Sequence, residues 1–250
     1  MTTLSKILAK HLNEYHAVVP FNAATDKLLH LNFTNTNTVL TPLILNDTIL
    51  FSQYINNLLD STENTGAVND HLSSPFRAGA PGAKYGVGGY NEHRTVYARS
   101  SVFDDGDEPR RLHLGVDIWG PAGTPVFCPL DGTIHSFAFN NKYGDYGATI
   151  ILKHALEGSD FFTLYGHLSL RDLVGLEEGK VVNKGEEFAH FGEPAENGEW
   201  PPHLHFQLIE NMGDWKGDYP GVCKFSERDS YLINSPDPDL ILRMMQYAVE

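Results

Sequence analysis

Cysteine is scarce in this chain: 250 residues hold only Cys128 and Cys223. They form no C-x-x-C pair, which excludes a cysteine-based zinc site and leaves the redox compartment open. Basic residues are also few, 18 Lys and Arg against 32 Asp and Glu, for a formal net charge of −14. With no Lys/Arg-rich run, this balance argues against a nucleic-acid partner and against docking on an anionic membrane or cell wall. No stretch approaches the roughly 18 apolar residues of a spanning helix, so no membrane insertion is expected. The opening residues, Met1 to His11, are polar and amphipathic. They lack the apolar core and cleavage site of a signal peptide, so a cytoplasmic location is the default expectation. Two common hydrolase signatures are missing as well. There is no H-E-x-x-H metalloprotease helix and no G-x-S-x-G nucleophile elbow. Gly86-Val87-Gly88-Gly89 lacks the context of a phosphate loop and reads as a turn.

What is present is enough apolar matter for a large core, 41% hydrophobic and 11% aromatic. Leu4, Ile7, Leu8 and Leu12 predict a helix over 4–12, with Thr2 and Thr3 as candidate caps. A second helix opens at Asp47, with Leu50, Phe51, Tyr54, Ile55, Leu58 and Leu59 on its apolar face. Residues 61–90, rich in Gly, Ser, Asn and Pro, read as a boundary and a long connection. From about residue 94 the pattern turns to β. Strands are expected at 126–130, 133–139, 148–154, 161–167 and 188–191, with Asp131-Gly132 as a hairpin turn and Gly158-Ser159-Asp160 as another. Asp237 as cap and Pro238 at the first helical position predict a C-terminal helix with Leu240, Ile241, Met244, Met245 and Ala248 on one face. The fold class expected is mainly β, an antiparallel core with an N-terminal helical layer (1–75), a main domain (76–236) and a C-terminal helix (237–250).

Twelve histidines prompt a search for metal or acid–base chemistry. Pro202-His203-Leu204-His205-Phe206-Gln207-Leu208 alternates as a strand does. It places His203, His205 and Gln207 on one face and Leu204, Phe206 and Leu208 on the other, packed face. The two imidazoles then stand about 7 Å apart at their Cα atoms, close enough to act on one metal-bound species. In His113-Leu114-Gly115-Val116-Asp117, full extension would separate the outer residues by about 13 Å, so a bend at Gly115 is needed to aim both side chains at one point. An imidazole and a carboxylate make half a zinc site. One more imidazole, from His203 or His205, completes three protein ligands and leaves a fourth position open for water. His167, in Tyr165-Gly166-His167-Leu168-Ser169, sits where a strand gives way to a loop.

The three segments HLGVD, YGHLS and PPHLHF, in this order, resemble the lysostaphin-type zinc metalloendopeptidases, many of which cut peptidoglycan cross-links. Gly123-Thr124-Pro125-Val126 leading to Asp131-Gly132-Thr133 is similar to the family segment that follows the first ligand pair. The resemblance spans roughly residues 110–210. It implies an antiparallel β core of the duplicated-hybrid-motif kind with the site in a groove. It also implies His113, Asp117 and His205 as ligands of one Zn2+, His167 and His203 as the non-ligand histidines serving catalysis, and a peptide or peptidoglycan-like substrate. Substrate-binding residues, oligomeric state and the division of labour between His167 and His203 are not implied. Two other readings keep the same residues: a non-hydrolytic binding or regulatory module, and a hydrolase of a small intracellular amide. Residues 1–90 lie outside the resemblance.

Overall fold

The computed structural model describes residues 2–59, 82–104 and 106–249. Among them the strands are β1 (Leu28–His30), β2 (Tyr85–Gly88), β3 (Leu112–His113), β4 (Val116–Trp119), β5 (Pro125–Phe127), β6 (Gly132–Asn140), β7 (Gly147–Leu156), β8 (Ser159–Leu168), β9 (Val181–Val182), β10 (Glu187–His190), β11 (His203–Ile209), β12 (Val222–Cys223) and β13 (Ala248–Val249). The α-helices are α1 (Thr3–Leu8), α2 (Pro42–Leu45), α3 (Thr48–Leu59), α4 (Arg228–Asn234) and α5 (Asp239–Leu242). Nine strands form one sheet in the order β13-β1-β2-β4-β11-β8-β7-β6-β9. Only β1 pairs in parallel, with β13 and β2, so the architecture is mainly β and largely antiparallel, as the run of short strands and turns predicts. Two small pairs, β5–β10 and β3–β12, complete the β structure. No helix among the described residues is long and apolar enough to cross a membrane.

Local chemistry explains most of these elements. Glu157 and Gly158 both take positive φ, at 49° and 77°. They make the two-residue turn that matches the twist of antiparallel strands and folds β7 onto β8. The Asp47 carboxylate accepts the backbone N–H groups of Ile49 and Leu50 at 2.8 and 3.0 Å, capping α3 where the sequence predicts its start. Phe51, Ile55 and Leu59 of that helix are buried. The main core gathers Val116, Ile118, Ile150, Leu152, Phe161, Tyr165, Leu204, Phe206 and Leu208, all fully buried.

Several expectations are corrected. Gly86 and Gly88 lie inside β2 and do not form a turn. A Cβ on Gly86 would sit 2.5 Å from Leu31 Cδ1, and one on Gly88 would sit 2.4 Å from Arg94 Nη2. These glycines therefore serve close packing and not chain reversal. Asp131-Gly132 does not join a hairpin, because β5 pairs with β10 while β6 pairs with β7 and β9. Residues near 94 form 3-10 turns, Val96–Arg99 and Ser101–Phe103, before the β pattern begins. Helix α1 ends at Leu8, with Thr2 as its cap. The C-terminal helix shrinks to one turn, α5. The cap position falls on Pro238, one residue later than expected, and the Asp237 carboxylate before it accepts from Asp239 N at 2.9 Å. Arg243 then turns left-handed at φ 52°, while the Asp239 carboxylate accepts the N–H groups of Met244 and Met245 at 2.8 and 3.0 Å. Those bonds end the helix and release Ala248–Val249 to pair with β1. The expected boundary at 75/76 and most of the 61–90 connection lie outside the described residues.

The sheet register positions the site. In the β11–β4 ladder His205 faces Asp117 and His203 faces Trp119. Leu204, Phe206 and Leu208 point into the core as alternation predicts, but the histidine face is covered too, and every residue of β11 is buried. On that face Arg94, Tyr97, Phe103 and Tyr219–Val222 line a cavity together with His203 and His205.

Candidate metal centre and adjoining pocket

His113 and Asp117 converge because the strand breaks at Leu114-Gly115, between β3 and β4. Gly115 is required there for space: a Cβ would lie 2.5 Å from His205 Cε1, 2.6 Å from His205 Nε2 and 2.8 Å from the Phe206 carbonyl oxygen. His113 Nε2, Asp117 Oδ1 and His205 Nδ1 form a triangle with sides of 3.2, 3.0 and 3.0 Å. Among the described residues this is the one group of three or more His, Cys, Asp or Glu side chains placed to hold a metal ion. All three are buried.

The outward-facing atoms decide what the triangle is. His113 Nδ1 lies 3.0 Å from the Gly89 carbonyl oxygen, which can only accept, so Nδ1 carries the proton and Nε2 presents a lone pair. Gln207 Nε2 donates to Pro220 O at 3.2 Å and reaches Ser235 Oγ at 3.1 Å, which orients the amide. Its Oε1 then accepts from His205 Nε2 at 3.0 Å, so His205 Nδ1 is bare as well. The second oxygen of Asp117, Oδ2, accepts from Arg94 Nη1 at 2.5 Å. Two imidazole lone pairs and a carboxylate oxygen therefore face one point with no proton among them. Such a set repels itself unless a cation lies between. Ligands about 2.0–2.1 Å from a tetrahedral zinc lie about 3.3–3.4 Å from one another, so an outward shift of a few tenths of an ångström admits the ion. Burial, reinforced by Arg94, pushes the His113 imidazole down to about 4, so it stays neutral as a ligand must. Burial would raise the Asp117 carboxyl, but His113 and Arg94 prevail and hold it well below the usual carboxylate range.

His203 and His167 stand beside this triangle. Their rings lie 4.1 Å apart at the centroids, and His203 stacks on Trp119 at 3.9 Å. His203 Nδ1–H donates to Pro201 O and His167 Nδ1–H to Asn197 O, both at 2.8 Å, leaving each Nε2 unprotonated. Burial pushes His203 down to about 4, and burial together with His203 holds His167 well below its ordinary value. His167 sits in a bulge where β8 sets Gly166 and His167 against the single Thr149 of β7. Its φ is 63°, a conformation that costs a non-glycine residue about 1–2 kcal/mol. Bonds from His167 N to Tyr146 O and from Gly192 N to His167 O hold it there. The two rings, Asp117, His205, Trp119 and Trp200 line a cavity of about 550 Å³.

All five sequence-predicted site residues are thus brought together. Reasoning from sequence missed Gln207 as the residue orienting His205, although strand alternation places it on the same face. It missed Trp119, two residues after Asp117 on the same strand. It also missed Arg94, Gly89 and Tyr146, whose ring lies 5.2 Å from that of His205; no motif marks these.

Residues 111–216 match the model of peptidase family M23. Over these residues the chain resembles the M23 peptidases. Over 139 residues it is 38% identical to an uncharacterized metalloprotease of Haemophilus influenzae, covering 53% of this chain and 27% of that protein. Over 129 residues it is 36% identical to the DD-carboxypeptidase/endopeptidase Mpg of Neisseria meningitidis serogroup B, covering 50% and 27%. An L-Ala–D-Glu endopeptidase of Bacillus subtilis is 28% identical over 137 residues, covering 51% and 40%. The matched stretch therefore spans only about a quarter of the length of the first two relatives. The catalytic domain of lysostaphin from Staphylococcus simulans is 25% identical, over 48% of this chain and 80% of that one, with a TM-score of 0.34. Both His113 and the H-x-H strand lie inside the M23 match.

Proposed function

We propose that this chain is a zinc-dependent peptidase that hydrolyses a peptide or amide bond, with one ion held by His113, Asp117 and His205. The observation that supports it most is the meeting of three proton-free donor atoms at 3.0–3.2 Å, each with its other heteroatom tied to a fixed partner. When bound, the metal supplies Lewis acidity that activates water near neutral pH and polarises a carbonyl. The protein supplies the proton handling. His203 and His167 are neutral at pH 7, with Nε2 free on the cavity side of two anchored rings. Either Nε2 can take the proton of the attacking water and return it to the leaving amine. Two rings 4.1 Å apart do not favour two charges, so one proton at a time passes through the pair.

The pocket suits a peptide. Its volume of about 550 Å³ lies in the range of small-molecule sites, and its lining joins the aromatic rings of Trp200 and Tyr219 to charges of both signs, Lys142 and Arg110 with Asp145 and Asp218. Peptidoglycan peptides are our proposed substrate, supported by the peptidase activities for which the Neisseria and Bacillus relatives are named. Zinc-loaded chain incubated with murein sacculi and with short peptides, beside a chelator control, tests this. The expected result is chelator-sensitive release of peptide fragments from sacculi. Turnover of short amides alone would overturn the substrate, and zinc bound without any hydrolysis would overturn the enzyme in favour of a binding module.

A further inference from the structure

The inner ligands are all inside the M23 match, but two of the groups that orient them are not. The chain from Gly89 to Arg94 lies before residue 111 and docks on β3 through backbone bonds. Asn91 N donates to His113 O, His113 N to Glu92 O and Arg94 N to Arg111 O, at 2.9, 3.0 and 2.8 Å. From this platform the Gly89 carbonyl accepts from His113 Nδ1–H, and the Arg94 guanidinium donates to Asp117 Oδ2. Arg94 is 1% exposed. Its Nε bonds Glu92 Oε2 at 2.6 Å, and its guanidinium carbon lies 5.3 Å from the centre of the Phe33 ring. Gly88, opposite Asp117 in the β2–β4 ladder, leaves the space the guanidinium fills.

We propose that Arg94 is a positioning residue of the metal centre, holding Asp117 as a one-oxygen ligand from a segment that precedes the M23 match. The inference rests on the reading of the triangle as a metal site. With Oδ2 bound to Arg94, only Oδ1 faces the two imidazoles, so the protein offers three donor atoms and not four. The line Glu92–Arg94–Asp117 alternates in charge, which lets a buried arginine sit beside a cation site without leaving an uncompensated positive group. Removing the guanidinium frees Oδ2 to swing inward and lets the carboxylate wander.

The test uses the full chain loaded with Co2+, whose visible absorption weakens as coordination rises above four, together with metal affinity by chelator competition. Arg94→Met should weaken the visible band and raise the metal Kd about 10–100-fold, the usual range for groups that orient ligands. Arg94→Lys, which keeps the charge and loses the fork, should fall between parent and Arg94→Met. Gly88→Ala, whose added carbon meets Arg94 Nη2, should change the band and the affinity in the same direction, and it stands in if Arg94→Met does not fold. An unchanged band with a Kd within twofold of the parent's, or tighter, in these variants would overturn the role of Arg94. A parent chain that takes up no Co2+ would instead sink the metal reading beneath it.

Discussion

The substitution Gly115→Ala probes the centre with a single added carbon. That carbon would stand 2.5 and 2.6 Å from His205 ring atoms and 2.8 Å from the Phe206 carbonyl oxygen. The carbonyl belongs to β11, whose backbone is paired to β4 on one side and β8 on the other, so it does not give way. The ring must retreat by about 1 Å to reach ordinary contact, half the length of a zinc–nitrogen bond of about 2.0–2.1 Å. Overpacking of this kind costs about 1–3 kcal/mol of stability without metal. Losing one of three ligands weakens zinc far more than it weakens the fold, and we expect Kd to rise at least about 100-fold. Denaturation with and without zinc reads this directly. At free zinc equal to about 100 times the parent's Kd, the parent gains about 2.7 kcal/mol, and a variant bound 100-fold more weakly gains about 0.4 kcal/mol. If Gly115→Ala keeps stoichiometric zinc and the parent's full gain, the three side chains do not share one ion.

Other predictions follow from the same geometry. Gln207→Leu removes the acceptor for His205 Nε2–H and should weaken metal binding about 10–100-fold, measured by chelator competition; an unchanged Kd would show that the ring is held by packing alone. His203→Asn should keep one zinc per chain by elemental analysis and lose at least about 100-fold in kcat, because it removes a proton carrier and leaves the ligands; loss of the metal itself would make His203 a ligand. His154, away from the site, donates to Asp131 O, and burial pushes it down to about 4 from 6.5. Its folded value lies below its unfolded one, so its contribution is complete above pH 6.5 and is lost as pH falls toward 4. At pH 4.5 the loss is about 2.5 kcal/mol, to be read as a flatter acid limb of urea stability in His154→Gln; an unaltered limb would contradict it.

How much the sequence disclosed depended on how local the physics was. Alternation along 203–208 placed both histidines and Gln207 on one face, because side-chain direction in a strand is a property of the strand itself. The cap at Asp47 was legible for the same reason. The bend between His113 and Asp117 was foreseeable from distance, but its cause was not. Gly115 is there for the His205 ring, a contact between residues ninety positions apart. Gly86 and Gly88 misled likewise, since their neighbours Leu31 and Arg94 are visible only in the fold. The C-terminal helix failed because Asp239 ends it by bonding Met244 and Met245, against a helical spacing of apolar residues. Arg94 carried no signal: nothing in Asn91-Glu92-His93-Arg94 marks a guanidinium that will be buried against Asp117.

Anomalous diffraction at the zinc edge from crystals of the loaded chain tests the central claim most directly. One peak is expected, about 2.0–2.2 Å from each of His113 Nε2, Asp117 Oδ1 and His205 Nδ1. Zinc bound elsewhere, such as between His167 and His203, or no peak within reach of that triangle, would contradict it.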